Sequence, residues 1–180
     1  MILILQKGDL EMQNYDFIFS RRSIRKYKNK EIPEKDIKLI LEAARHAPSP
    51  YDYTTWHLIL IKEKLMIQKI MGISGGQSWI QTASLIVVGI VTPKKGTLKW
   101  KTVDVTIALQ NIALISEALG YGSCWVGYFK EKKLKELLGI PEDNNVLAFI
   151  TIGVKDEIPK ERYYEELSNL VSTDIFTKKY

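Results

Sequence analysis

Residues 20 to 27 read SRRSIRKY. Arg21, Arg22, Arg25 and Lys26 place four positive charges in a short stretch that also holds the hydroxyls of Ser20 and Ser23. A guanidinium offers a planar fork of donors that matches phosphate or carboxylate oxygens, and serine adds a short neutral donor. Such a stretch either solvates a surface or holds an anion. Other reactive groups are sparse. His46, His57 and Cys124 are widely separated and do not make a metal site. Cys124 stands alone, so no disulfide forms within the chain, and the cytoplasm is the expected compartment.

These residues need elements to position them. A first helix is expected over residues 14 to 22, with Phe17, Ile18 and Phe19 on or near its buried side. Pro33 opens a second helix, PEKDIKLILEAARHA, in which Ile37, Ile40, Leu41 and Ala44 share one face. Glu34 and Asp36 suit its positive end, Arg45 and His46 its negative end, and Pro48 and Pro50 stop it. WHLILIK (56 to 62) reads as a strand, 65 to 71 as a short helix, and Gly72, Gly75 and Gly76 as a loop. Residues 85 to 91 form a buried strand, and 94 to 101 a basic connection. From Val105 to Leu119 the chain is apolar almost all round, with Asp104 near the start, so a central helix is expected. Gly120 and Gly122 end it. A helix at 131 to 138 and a strand at 146 to 154 follow, and the polar, aromatic tail from Pro159 lacks periodicity.

Composition sets the outer bounds. At 180 residues, 46% hydrophobic and 26% charged, the chain suits one globular domain. No apolar run reaches the roughly 18 residues of a membrane span. The +5 net charge is modest and its lysines are dispersed, which argues against nucleic acid as a partner. Residues 1–13 read as a leader outside the folded unit. Lys7-Gly8-Asp9 can be encoded by a purine-rich stretch resembling a ribosome-binding sequence, which makes Met12 a candidate start. The domain then runs over 14–158, with 159–180 as a C-terminal extension.

Four segments in register resemble the nitroreductase family of FMN enzymes. They are SRRSIRKY (20 to 27), APSPYDYTTWHLILI (47 to 61), DVTIALQNIALISEALGYGSCWVGYF (104 to 129) and KLKELLGIPEDNNVLAFITIGV (133 to 154). Strands alternating with helices would by pattern alone point to a parallel sheet. The resemblance implies instead an α+β fold, a mostly antiparallel central sheet flanked by helices, in an intertwined homodimer. Two FMN sites would lie at the interface, and the C-terminal tail would pack on the partner subunit.

The resemblance also implies site residues. Arg21 and Ser23 would hold the FMN phosphate, with Arg22 near the ribityl chain and Arg25 toward the pyrimidine edge. A fixed charge there would favour the anionic reduced ring. Pro48, Ser49 and Pro50 would approach from the partner subunit. Pro50 stands where the family has a second serine. Asp52 lies in a stretch that departs from the family pattern, and an aspartate near the ring would disfavour reduction unless it points away or pairs with a cation. Gln77 is a candidate polar contact to the ring. Trp125, Val126, Gly127 and Tyr128 would lie in a loop over the ring, with the Gly127 and Tyr128 amides as donors to N5 and O4. Arg162, or Lys160, would complete the phosphate site, and Cys124 is expected to be a small buried hydrophobe. NADH or NADPH would supply hydride, and a flat small-molecule acceptor such as a nitroaromatic or quinone would take it. Three alternatives remain at this point: a dehalogenase or flavin-reductase relative, a non-catalytic FMN-binding or storage protein, and a basic RNA-binding domain.

Overall fold

The computed structural model describes residues 16–50, 54–93, 98–159 and 161–180. Six helices and four strands occur among them: α1 (Asp16–Ser20), α2 (Glu34–Arg45), β1 (Trp56–Ile61), α3 (Lys64–Ile73), β2 (Leu85–Val91), α4 (Leu98–Ala118), β3 (Tyr121–Val126), α5 (Glu131–Leu138), β4 (Asn145–Val154) and α6 (Leu167–Leu170). A 3₁₀ turn at Ser78–Thr82 precedes β2. The sheet order is β1-β2-β4-β3, and every pairing is antiparallel. The expected α+β class with an antiparallel sheet is therefore observed.

Two apolar layers sandwich the sheet. On one face α2 and α4 bury Ile37, Ile40, Ala44, Val105, Leu109 and Ile112 against Leu85, Val87, Ile150 and Ile152. On the other, α3, α5 and the 3₁₀ turn contribute Ile67, Ile70, Leu134 and Ile80, packed with Ile86, Val88 and Phe149. Each fully buried aliphatic or aromatic side chain contributes about 1.5–3 kcal/mol. β2 and β4 are central and covered on both faces, which is why they read as unbroken apolar runs. α2 begins and ends much as its sequence implies, with Pro33 at the N-cap and Arg45 in the last turn.

Several local expectations are corrected. α1 starts at Asp16 and ends at Ser20, and Ile18 and Phe19 are 53% and 72% exposed rather than buried. This short helix leans on α4, and only Phe17 is partly covered. α4 begins at Leu98, so the basic connection ends sooner and Asp104 lies in the second turn. There Asp104 is buried and accepts a hydrogen bond from Thr55 Oγ1 at 2.7 Å. α4 is covered by α2 and the sheet on one side, while Ile107, Leu114 and Ile115 remain half-buried. Gly120, at φ +84°, ends the helix, but Gly122 does not, because it belongs to β3. The expected loop at 124 to 128 is strand as far as Val126. The leader, including Met12, lies outside the described residues.

Candidate functional site

The basic stretch is held against the sheet by two of its own apolar side chains. Gly122 and Gly153 are register partners across β3 and β4. A Cβ at Gly122 would sit 2.8 Å from the Ile24 side chain, and one at Gly153 would sit 2.7 Å from the Tyr27 ring. The bare backbone of both strands thus forms a notch filled by Ile24 and Tyr27, which are 1% and 4% exposed. Tyr27 Oη donates to the Ile24 carbonyl at 2.6 Å and lies 2.8 Å from Thr151 Oγ1. Burial pushes the Tyr27 phenol well above its ordinary range. Backbone bonds complete the dock: Ile24 N–H donates to Ser123 O at 3.0 Å, and Lys28 N–H to Val154 O at 2.9 Å. Just upstream, Glu117 accepts from Ser20 Oγ at 3.2 Å and from Lys155 Nζ at 2.7 Å.

With Ile24 and Tyr27 turned in, the polar residues on either side of Ile24 line a cavity of about 710 Å³. Arg21, Arg22, Ser23 and Arg25 form one wall. The segment after β4 forms the other, with Glu157, Ile158, Pro159, Glu161, Arg162 and Tyr163. The Arg162 guanidinium lies 5.0 Å from the centroid of Tyr164, and that of Arg25 lies 5.9 Å from Trp79. The carboxylate of Glu157 accepts from the Arg25 backbone N–H. Cys124 is buried behind this wall. Burial pushes its thiol up from the ordinary range, while Arg25, Ser23 and Arg21 pull it down less strongly. It is a neutral buried thiol, as expected.

The same strand carries the chain to the second part of the site. Ser23 bridges Ser123, and Gly127 follows four residues later, just past the end of β3, about 13 Å further at strand rise. Open space lies where a Cβ on Gly127 would stand. The turn here is clamped to the loop after α3. Gln77 Nε2 donates to Ser74 O at 2.9 Å and reaches Tyr128 O at 3.4 Å, and Lys130 N–H donates to Ile73 O at 2.9 Å. The Tyr128 ring lies over Gly75, whose φ is +68°. Val126 is buried in the second core layer, and Trp125 is half-buried against the first. Their side chains pack the core, whereas Gly127 and Tyr128 are exposed.

Pro48, Ser49 and Pro50 follow α2 and do not line the arginine cavity of their own chain. Asp52 and Lys160 lie outside the described residues. His46 caps the C-terminus of α2 and His57 lies in β1. Among the described residues no His, Cys, Asp and Glu cluster could hold a metal.

A model of the nitroreductase family matches residues 18–77 and 74–154. The chain belongs to the nitroreductase family. A relative from Archaeoglobus fulgidus, named as an NADH dehydrogenase/NAD(P)H nitroreductase, is 35% identical over 147 residues, 78% of this chain and 84% of the relative. One of the same name from Methanothermobacter thermautotrophicus is 31% identical over 157 residues, 84% and 82% of the two chains. Among solved structures, the FMN-dependent nitroreductase from Clostridium difficile superposes with a TM-score of 0.80 at 31% identity, covering 89% of this chain and 98% of that one. The NADPH:FMN oxidoreductase of Vibrio harveyi, complexed with NAD+, shares the fold, with a TM-score of 0.85 at 22% identity over 91% of this chain and 78% of that one. In this nitroreductase, sequence reasoning missed Glu157 and Trp79. Glu157 meets Arg25 across 132 residues of chain, a pairing that no local pattern reports.

Proposed function

We propose that this chain is an FMN-dependent NAD(P)H oxidoreductase, acting as a cytoplasmic homodimer. The observation that carries this is one cavity in which Arg21, Arg22, Ser23, Arg25 and Arg162 converge, joined by β3 to an open glycine turn. The donor set fits a phosphate monoester: four guanidinium groups and a hydroxyl, which outnumber the two carboxylates, Glu157 and Glu161, on the facing wall. The open space at Gly127 fits close approach of a flat ring to the backbone. Bound FMN would supply the redox chemistry, taking hydride from NADH or NADPH and passing it to a flat acceptor such as a nitroaromatic or quinone.

The chain's own residues bind and orient. Arg21 and Ser23 grip the phosphate, with Arg22 and Arg162 beside them. Arg25 presents a fixed positive charge toward the pyrimidine edge, steadied over Trp79. The Gly127 and Tyr128 amides donate to the ring, and Gln77 holds that turn through the Tyr128 carbonyl. Pro48, Ser49 and Pro50 serve the site of the partner subunit. A second copy is supported by apolar surface that one chain leaves open. Ile158 and Phe176 are each 96% exposed, and an apolar groove of about 680 Å³ beside β1 is lined by Leu41, Trp56, Leu58 and Leu60. Surfaces of this kind mark protein interfaces. Among the described residues no helix is long and apolar enough to cross a membrane.

The test is an absorbance spectrum of the purified protein, followed by anaerobic addition of NADH and NADPH. A flavin band that bleaches is expected. A band that persists with both donors points to storage, and a colourless protein that does not take up added FMN refutes the proposal.

A further inference from the structure

The cavity that gathers four guanidinium groups also contains two carboxylates, Glu157 and Glu161. The described lining therefore carries a net of two positive charges, the magnitude of a phosphate monoester dianion. The two acids are not equivalent. Glu161 is exposed on the tail, whereas Glu157 is partly buried and anchored by the Arg25 N–H. That bond ties the segment after β4 to the basic stretch, beside the Asp156 N–H to Lys26 O bond of 3.0 Å and the Lys26–Asp156 ion pair of 3.2 Å. Glu157 is thus fixed on the cavity wall, where it cannot swing away from an arriving anion without giving up the Arg25 amide.

We propose that Glu157 sets the strength of the phosphate grip: its oxygen holds the Arg25 backbone in place while its charge weakens the site for a dianion, so that FMN is bound but exchangeable. This rests on FMN as the ligand of the cavity. The geometry separates the two roles. The bond to the Arg25 N–H needs only an oxygen acceptor, which glutamine retains. The repulsion needs the negative charge, which glutamine lacks. Across a solvent-open cavity, a unit charge facing a dianion a few ångströms away alters binding on the order of tenfold.

FMN, riboflavin and inorganic phosphate are titrated into full-length apo-protein, reading flavin fluorescence quenching and phosphate competition, for wild type, Glu157→Gln, Glu157→Ala and Glu161→Gln. Glu157→Gln is expected to bind FMN about tenfold tighter and release it more slowly, with inorganic phosphate tightened alongside and riboflavin unchanged. Glu157→Ala gains less, because the Arg25 amide loses its acceptor, and Glu161→Gln changes little. Equal or weaker affinity of Glu157→Gln for FMN and phosphate overturns the proposal. If no protein binds FMN, the cofactor assignment fails. The Glu157 effect is then decided by phosphate alone: tightening in Glu157→Gln supports it, and no change rejects it.

Discussion

Gly122 and Gly153 lie opposite each other across β3 and β4, and the gap left by their missing side chains seats Ile24 and Tyr27. The contact turns a basic stretch into a directed wall. With Ile24 turned in, its neighbours Ser23 and Arg25 line the cavity. Gly122→Ala is expected to place a methyl against Ile24, costing about 1–3 kcal/mol as overpacking. Denaturant unfolding and FMN titration should both show the loss, and adding Ile24→Ala should partly restore FMN affinity. Unchanged FMN binding in the single variant would disconnect the notch from the site.

Arg21 and Arg25 line one cavity, and the proposed function gives them different ends of FMN, the phosphate and the pyrimidine edge. Arg21→Ala should lose about 1.5–3 kcal/mol of FMN affinity, tenfold or more, and leave riboflavin binding unaltered. Arg25→Ala should retain more flavin yet lower its midpoint potential, measured by anaerobic redox titration. Identical effects of the two changes on affinity and potential would contradict this division.

Gln77 spends its amide on Ser74 and Tyr128 rather than standing free. Gln77→Ala should therefore keep FMN bound while slowing its anaerobic reduction by NADH or NADPH, because the turn at Gly127 loses its brace. Stopped-flow absorbance decides the matter; loss of flavin with an unaltered rate in the bound fraction would assign Gln77 to the grip itself.

Asp104 and Thr55 are buried together at 1% and 4% exposure, joined by a 2.7 Å bond. Thr55 O also accepts from Thr92 N–H and Oγ1, each at 2.9 Å, so this residue ties α4 to the entrance of β1 and the exit of β2. Asp104→Ala removes the acceptor of a buried hydroxyl and should cost about 1–3 kcal/mol. Asp104→Asn retains an oxygen and should cost less. Urea midpoints of the two variants in the opposite order would show that charge, not the bond, matters there.

Stability should decline at high pH. Burial raises the Tyr27 phenol far above 10.0, and burial with the hydrogen bond to Asp36 pushes Tyr121 up to about 12. Between pH 10 and these folded-state values the unfolded chain has lost protons that the folded chain keeps, so rising pH favours unfolding. Below pH 10 both states are protonated and this contribution is constant. Unfolding midpoints from pH 8 to 11.5 should fall above 10, and less steeply in Tyr27→Phe, which cannot ionise.

Local order was legible wherever one periodic face met one buried surface. The spacing of Ile37, Ile40 and Ala44 marks α2, and the unbroken run from Leu85 marks a strand covered on both sides, because these signals depend only on near neighbours. SRRSIRKY by itself declared that an anion could be held, since charge density and donor geometry belong to the residue types. Only the tertiary structure decided which of its residues point where. Gly120, Gly122 and Gly127 look alike in sequence, yet one ends a helix, one makes room for Ile24 inside a strand, and one opens a turn. The placing of Arg162 beside Arg21 was expected from the family resemblance alone, and the placing of Glu157 on Arg25 was invisible, because both are set by β4 returning antiparallel beside β3 and delivering the tail to the docked basic stretch. Contacts between residues so far apart along the chain arise from sheet pairing and close packing, which no local window of residues encodes.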